Sequence, residues 1–136
     1  MAGYSPTPLV RKLGLKPGVP AAVIGAPMDY GTLLAIGAAP AALAADAPIP
    51  PGLAYLHLFT VHRAEMEQVL IAARRRIASD GMIWISWPKK VSKLPTDITE
   101  DVIRDVCLPM GYVDIKVCAV TDIWSGLKLV IRKELR

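Results

Sequence analysis

Short apolar runs alternate with helical patterns along most of this chain. Residues 21–25 form a short continuous apolar run, which is typical of a strand buried on both faces of a sheet. Residues 53–61 are rich in leucine and aromatic residues and predict a second strand. Over residues 62–78 the apolar side chains recur at helical spacing, which predicts one buried helix face made of Met66, Val69, Leu70, Ala73 and Ile77. A third strand is predicted over residues 82–87, because Pro88 ends it.

A hairpin is predicted near the C-terminal end. Alternation of side chains over residues 112–120 and again over 126–133 indicates two further strands. On the first of these strands one side carries the apolar residues Val113, Ile115, Val117 and Ala119. The connection 121–125 is too short for a helical crossover, so the two strands should pair antiparallel. Ahead of the hairpin, Asp97 is predicted to cap a helix, with Glu100 in the capping-box position.

This order of elements predicts an α/β fold. Helices between successive strands require a parallel sheet with right-handed crossovers, and the hairpin adds antiparallel strands to it. We therefore predict a three-layer, Rossmann-like sandwich whose sheet is mostly parallel and ends in an antiparallel C-terminal hairpin. At 136 residues the chain is long enough for one domain, 1–136, with a sizeable core.

Two segments depart from the regular pattern. Residues 1–18 are predicted to be a lead-in with at most one short helix. Residues 37–52 are rich in alanine and proline, and we predict a mobile loop there because the prolines prevent regular structure. A short strand over 42–45 would end at Asp46. A short helix is predicted over 28–36, with Asp29 near its start.

Composition excludes several classes of protein. An apolar fraction of 53% is too high for a disordered chain, and no run approaches the roughly 20 uncharged residues of a membrane span. The N-terminus lacks the charged start and apolar core of a signal peptide, so a cytoplasmic location is expected. Cys107 and Cys118 are predicted to be reduced core residues, and with only two histidines no metal site is expected.

The net charge of +4 is spread over several small groups of basic residues. A protein that binds nucleic acid would interleave such groups with exposed aromatic residues, so nucleic acid is not the expected partner. Residues 74–76 are three arginines near the end of the long predicted helix, where they complement the helix dipole. This placement explains the triplet without a phosphate-binding role.

The turn after the first predicted strand differs from the turn of cofactor-binding α/β domains. That turn normally carries closely spaced glycines, which let the backbone approach the cofactor. Gly25 is present here, but Pro27 and Asp29 stand at the next two glycine places. No bound cofactor is therefore expected.

As a whole the pattern resembles a shortened class I S-adenosylmethionine (SAM)-dependent methyltransferase fold. The chain is also similar to the bacterial DUF3052 family of small proteins of unknown function, through the stretches 3–5, 13–18, 87–90, 95–104, 113–120 and 124–130. The methyltransferase resemblance implies that a SAM cofactor would lie near Gly25, Asp29 and Asp46, the last at its ribose. The DUF3052 resemblance implies no activity.

The loop after the strand at 82–87 is the main candidate for binding, because open α/β sheets bind ligands at the carboxyl ends of their strands. Its hydroxyl groups, ammonium groups and aromatic rings favour an anionic small molecule or an acidic protein partner. The candidate binding residues are Ser86, Trp87, Lys89, Lys90, Lys93, Thr96 and Trp124. Two alternatives remain open: the tryptophans cover the sheet edge, or the lysines pair with Asp97, Glu100 and Asp101.

Two residues are weak candidates for catalysis. His62 stands at a helix start, but no carboxylate or nucleophile lies beside it in the sequence. Asp97 is the second candidate. His57 lies inside a predicted strand and is expected to be half-buried and hydrogen-bonded.

These observations favour a non-catalytic ligand-binding or interaction module on a degenerate methyltransferase-like fold. One alternative is an atypical SAM-dependent methyltransferase or another small-molecule enzyme. A further alternative is a basic nucleic-acid accessory protein, whose affinity would fall steeply with salt. The apolar composition and the plain segment 35–56 would also suit a homodimer.

Overall fold

The computed structural model describes residues 7–136, so residues 1–6 of the predicted lead-in lie outside the described part. In this part six strands form one sheet: β1 (Ala21–Ile24), β2 (Ala41–Leu43), β3 (Tyr55–Phe59), β4 (Met82–Pro88), β5 (Tyr112–Ala119) and β6 (Trp124–Ile131). The same residues contain the helices α1 (Leu9–Leu13), α2 (Tyr30–Leu34), α3 (Arg63–Arg74) and α4 (Glu100–Cys107). Short 3-10 turns lie at Lys90–Ser92, Leu108–Met110 and Lys133–Leu135.

The sheet is mixed, with the strand order β2-β1-β3-β4-β6-β5. Strands β1 to β4 are parallel, and β6 runs antiparallel to both of its neighbours, β4 and β5. Helices α3 and α4 cover one face, while α1 and α2 cover the other. Because both faces are covered, every residue of the central β3 is buried. The predicted α/β class, its three layers, the mostly parallel sheet and the C-terminal hairpin are confirmed.

Strand β5 forms one edge of the sheet and breaks the predicted alternation. A β-bulge between Asp114 and Lys116 shifts the register, so the side chains after it exchange faces. Ile115 and Val117 are therefore half exposed, whereas Cys118 is buried. The predicted apolar side of this strand is wrong beyond the bulge, because side-chain alternation alone does not reveal an inserted residue.

The alanine- and proline-rich segment 37–52 is partly structured. Its strand β2 pairs with β1 at Ala41–Leu43, slightly earlier than the predicted 42–45. Farther along, Ile49 is buried in the core beside α3, and the Gly52 amide donates to the Arg76 carbonyl at 2.7 Å. The mobility of the remaining residues stays a prediction.

Residues 7–136 contain no helix with the length and apolar character needed to cross a membrane. Across these same residues, no three or more His, Cys, Asp or Glu side chains gather where a metal ion could bind. Cys107 and Cys118 are both buried free thiols, as predicted. Burial raises the pKa of Cys107 to about 11, which makes this thiol a poor nucleophile.

Candidate functional site at the carboxyl edge of the sheet

Several turns meet at the carboxyl edge of the sheet. Strands β1, β3 and β4 run parallel, so the chain leaves all three at this edge, through residues 25–29, 60–62 and 89–94. Strand β6 runs the opposite way and begins at the same edge with Trp124, which pairs with Pro88. Strand β2, which leads to Asp46, also ends there. The predicted site residues all belong to these strand ends and the loops beside them.

The turn after β1 is closed by the protein itself. Gly25 has a backbone φ of +73°, and a Cβ atom added there would lie 2.5 Å from the Phe59 carbonyl oxygen. The end of β3 therefore fills the space that the missing side chain leaves. Any side chain here would collide with the end of β3, so packing alone requires glycine at this position.

Asp29 caps α2 rather than facing a ligand. Its Oδ1 accepts a hydrogen bond from the Thr32 amide at 2.8 Å, and this bond holds the pKa of the carboxyl below its usual range. The negative charge stands at the start of a helix that would otherwise favour an anionic group. A cavity of about 360 Å³ adjoins the turn and is lined by residues that include Gly25, Ala26, Met28, Asp29 and Ala42.

The three residues that a SAM cofactor would use do not meet in one place. Gly25 and Asp29 line the cavity beside the turn, but exposed Asp46 lines a different cavity, next to α3. Gly25 lies against the Phe59 carbonyl and Asp29 caps the start of α2, and the absence of a bound SAM cofactor stays a prediction.

A buried polar network runs through the core behind this edge. The Tyr30 hydroxyl lies 2.5 Å from both the Tyr55 hydroxyl and His57 Nδ1, and His57 Nε2 lies 2.7 Å from Ser86 Oγ. His57 and Ser86 are fully buried. Burial lowers the pKa of His57 to about 3, so the imidazole is neutral in the folded protein.

This network corrects two predictions. His57 is fully buried rather than half-buried, although its ring nitrogens are satisfied as expected. Ser86, predicted to bind a ligand, points into the core and bonds to His57. The two tyrosines of the network were missed, because their partners are 25 and 27 residues from Tyr30 in sequence and no local pattern connects them.

The two tryptophans of the predicted binding site lie mainly inside the protein. Trp87 is 8% exposed and Trp124 is 9% exposed. Trp124 packs edge-to-face on Phe59, with ring centroids 5.4 Å apart, and Phe59 stacks on His57 at 4.2 Å. Their predicted role as exposed ligand contacts is therefore corrected, because the ends of β4 and β6 use these rings to close the core.

Asp97 caps a different helix from the one predicted. Its Oδ1 accepts from the Arg63 amide at 2.7 Å, which caps α3 from outside that helix. Helix α4 begins two residues later than predicted, and its cap is Thr99, whose hydroxyl accepts from the Val102 amide. Thr96 anchors the same loop by donating its hydroxyl proton to the Val61 carbonyl at 2.8 Å.

A hydrogen bond brings the two weak catalytic candidates, His62 and Asp97, onto neighbouring segments. His62 precedes Arg63, whose amide is the group that Asp97 holds. In the described residues, the exposed His62 side chain has no hydrogen-bond partner, and Asp97 is committed to capping. Neither residue has the oriented base or nucleophile that acid–base catalysis needs.

The loop after β4 is ordered by its own hydrogen bonds. The Ser92 hydroxyl donates to the Lys89 carbonyl at 2.7 Å and accepts from the Leu94 amide at 3.2 Å. The Lys89 amide donates to the Ile123 carbonyl at 2.7 Å, which ties the loop to the hairpin. Lys93 adopts a φ of +61°, an unfavourable value for a residue with a side chain.

This loop presents cations and apolar side chains together. Val91 is 82% exposed, Leu94 45% and Ile123 44%. No ion pair involves its lysines within residues 7–136. The acidic residues predicted to pair with them are engaged elsewhere: Asp97 caps α3, and Glu100 and Asp101 bind Arg104. We call Lys89, Lys90, Val91, Lys93, Leu94 and Ile123 the basic–apolar surface.

Comparisons with known proteins identify the fold. No protein-family model matches the chain, and no curated protein matches it in sequence, so the resemblance to the DUF3052 family stays a prediction. Among solved structures, the glycopeptide N-methyltransferase MtfA superposes with a TM-score of 0.62 at 9% identity, covering 91% of this chain and 88% of that one. The structure of LepI in complex with SAM gives 0.57 at 12% identity, covering 91% and 39%.

A putative type 11 methyltransferase from Sulfolobus solfataricus gives a TM-score of 0.54 at 16% identity, covering 68% of this chain and 60% of that one. This chain therefore spans only part of several of the proteins that it resembles. At such low identity the likeness shows a methyltransferase-like fold and no activity.

Proposed function

We propose that this chain is a non-catalytic binding module on a methyltransferase-like fold, and that it binds an acidic segment of a partner protein. The observation that carries the proposal is the basic–apolar surface, where three lysines without an ion pair among residues 7–136 share the loop and hairpin turn with exposed Val91, Leu94 and Ile123. Contiguous exposed apolar residues with a charged rim are typical of protein interaction sites.

The chemistry of this surface favours a protein segment over a small anion. A phosphate or carboxylate would use the ammonium groups but would leave Val91 and Leu94 in water. An acidic segment with apolar side chains would bury both kinds of group at once, since charge complementarity orients the partner and apolar burial supplies affinity. The hydrogen bonds of Ser92 and the αL conformation of Lys93 hold the loop in one shape, which lowers the entropy lost on binding.

The rest of the carboxyl edge supports the absence of catalysis. Gly25 is packed against the Phe59 carbonyl and Asp29 is a helix cap. The one close histidine–serine pair of the described residues, His57 and Ser86, is enclosed in the core. An enclosed pair that is already satisfied cannot reach a substrate.

A peptide titration tests the proposal. The probe is a fluorescein-labelled synthetic peptide of alternating Glu and Leu residues, and the companion peptide has Lys in place of Glu. We expect the acidic peptide alone to bind, and Lys89→Ala with Lys90→Ala to weaken its affinity about tenfold without unfolding the protein. The matched control is Arg11→Ala with Lys16→Ala, which removes the same charge from an exposed site near α1.

Two results would contradict the proposal. Equal binding of the acidic peptide by the Lys89/Lys90 variant and the wild-type protein would exclude the basic–apolar surface. Full competition by inorganic phosphate at the same sites, with no contribution from the Leu side chains, would indicate a small anion as the ligand. Substituting Val91→Ser separates these contributions, because it removes an exposed apolar group and leaves the charge unchanged.

A SAM-dependent enzyme is the second candidate function, and one observation favours it. The cavity of about 360 Å³ beside Gly25 lies at the strand end where open α/β sheets bind ligands, and LepI, one of the proteins with a similar fold, forms a complex with SAM. Native mass spectrometry with and without added SAM tests it. A one-to-one adduct that Asp29→Ala alters would favour the enzyme, whereas its absence favours the binding module.

A further inference from the structure

The outer face of α3 carries an acidic, an apolar and a basic side chain at equal spacing. Glu67, Ile71 and Arg75 are spaced four residues apart, so they follow one another along the same side of the helix and its C-terminal extension. Ile71 stands in the middle and is 60% exposed, although it is a large apolar residue. Next to it, Ala72 leaves the helix backbone open to close approach.

A cavity of about 580 Å³ lies beside this face. It is bounded by α3 on one side and by the proline-containing stretch after β2 on the other, and its lining is Asp46, Ala47, Pro48, Ile49, Ile71, Ala72, Arg75 and Arg76. Arg75 and Arg76 have no ion pair with any residue in the 7–136 range. Arg74 differs, because its guanidinium bonds to the Met110 carbonyl at 3.0 Å.

We infer that this face of α3 binds a second copy of the chain, with the two α3 helices packed antiparallel about a two-fold axis at Ile71. A two-fold interface must be self-complementary. Placing Ile71 on the axis sets the residue four positions before it opposite the residue four positions after it. Glu67 of one copy then faces Arg75 of the other, and this ion pair forms twice.

Glu67 and the cavity beside Ile71 are also compatible with this antiparallel dimer. Glu67 Oε1 accepts from Arg63 at 2.9 Å, and Oε2 has no hydrogen-bond partner among the described residues. A guanidinium from a second copy can therefore bind it as well. The cavity beside Ile71 is lined by apolar side chains, by an acidic residue, Asp46, and by two basic residues, Arg75 and Arg76. Ile71 of a second copy would enter this cavity and bury its apolar surface.

The other exposed apolar regions are less suited to self-association. The basic–apolar surface carries charges of one sign, so two copies would repel each other there. The β5 edge has a bulge, and Nζ of Lys116 on this strand donates to the Lys12 carbonyl at 3.1 Å. A bulge and a charged residue both protect a strand edge from pairing with another chain. The face of α3 instead joins Ile71 to charges of both signs, Glu67 and Arg75, at equal spacing on either side of it.

Sedimentation velocity of the full chain tests this inference, from about 1 µM to about 200 µM protein. We expect a concentration-dependent monomer–dimer equilibrium, and we expect Ile71→Lys to weaken it by about tenfold or more, with the circular dichroism spectrum unchanged. The matched control is Val91→Lys, which places the same charge on the basic–apolar surface and should leave the dimer intact. A wild-type monomer throughout this range, or a dimer insensitive to Ile71→Lys, would overturn the inference.

Charge reversal tests the antiparallel arrangement. Glu67→Arg and Arg75→Glu should each weaken the dimer about tenfold, because each variant puts like charges opposite one another. The double variant restores opposite charges and should recover the wild-type dissociation constant to within about threefold. If the double variant loses as much dimerisation free energy as the two single variants lose together, the pairing of Glu67 with Arg75 is contradicted.

Discussion

The turn after β1 and the loop after β4 leave the sheet at the same edge, but they use their polar groups in opposite ways. In the β1 turn, the Phe59 carbonyl fills the space beside Gly25, and the Asp29 carboxylate caps α2. In the β4 loop, Lys89, Lys90 and Lys93 face solvent without ion pairs inside the described part of the chain. Two loops at the same edge of a methyltransferase-like fold therefore differ in how many of their polar groups the protein itself satisfies.

The nearby acidic residues explain why the β4 loop keeps its charge. Asp97 turns away to cap α3, and Glu100 and Asp101 form ion pairs with Arg104, which also holds Asp114 at 3.0 Å. Arg104 thus binds two of the three carboxylates that the sequence left as alternative partners for the lysines. The Arg104 network of α4 and β5 therefore uses two acidic residues that follow the lysines closely in sequence.

The largest expected effect comes from filling the β1 turn. Gly25→Ala should destabilise the protein by about 2–4 kcal/mol, because the new Cβ meets the Phe59 carbonyl at 2.5 Å and the backbone φ is positive. Chemical denaturation measures the free energy of unfolding. Gly18→Ala is the matched control, since Gly18 has a φ of +77° with nothing within 4 Å of the added Cβ, and its cost should be about 1 kcal/mol.

The difference between these two variants isolates the contact from the backbone strain. If Gly25→Ala costs no more than Gly18→Ala, the β1 turn has room to move, and a ligand could enter where the Phe59 carbonyl now lies. Such a result would mean that the β1 turn, like the β4 loop, can accept a ligand. It would favour the SAM-dependent enzyme over the binding module.

The next largest expected effect is a loss of stability in acid. It arises from the His57 network, which lies between the β1 turn and the β4 loop. Tyr30 follows the β1 turn and Ser86 precedes the β4 loop, and His57 bonds to both. The pKa of His57 is about 3 in the folded protein and 6.5 in the unfolded chain. Between these two values the imidazole is protonated in the unfolded chain and neutral in the folded protein. The unfolding free energy should fall by up to about 1.4 kcal/mol per pH unit as pH decreases from 6.5 towards 3.

Denaturant titrations at pH 7, 6 and 5 measure this slope in a range where most carboxyl groups remain ionised. His57→Gln should reduce the slope, since an amide offers hydrogen bonds but does not titrate. Proton NMR of the wild-type imidazole gives an independent measurement that does not depend on how well the variant folds. A ring that titrates near pH 6 in the native protein would contradict the enclosed network.

Much of the fold could be predicted because it depends on local signals. Apolar runs at 21–25 and 53–61 and the helical spacing over 62–78 follow directly from burial. The bulge after Asp114 and the caps supplied by Asp97 and Thr99 could not be predicted in the same way. The Asp97 cap joins residues 34 positions apart in sequence, so no local pattern indicates it. The cap of α4 is local, but Asp97 and Thr99 both satisfy the sequence rule for it. An inserted residue in a strand leaves no mark in the alternation of side chains.

The candidate site shows the same division. The loop at 89–94 and its exposed lysines were predicted from their place after a parallel strand, and the structure puts them at the expected edge. The apolar half of the surface was missed. Val91 and Leu94 have the residue types of a core, and Ile123 belongs to a hairpin turn, so only the three-dimensional structure reveals that all three are exposed beside the lysines.

The smallest expected effect comes from relaxing the β4 loop. Lys93 adopts a left-handed conformation at φ +61°, so Lys93→Gly should raise the unfolding free energy by about 0.5 kcal/mol, after allowance for the greater freedom of glycine in the unfolded chain. Lys90→Gly is the control, because Lys90 lies in a 3-10 turn with an ordinary conformation and should gain nothing. A stabilised Lys93→Gly protein that binds the acidic peptide more weakly would indicate that the loop tolerates strain to keep a cation at this position. Unchanged binding would restrict the electrostatic contribution to Lys89 and Lys90, and the strained residue would then serve only to turn the chain towards Thr96.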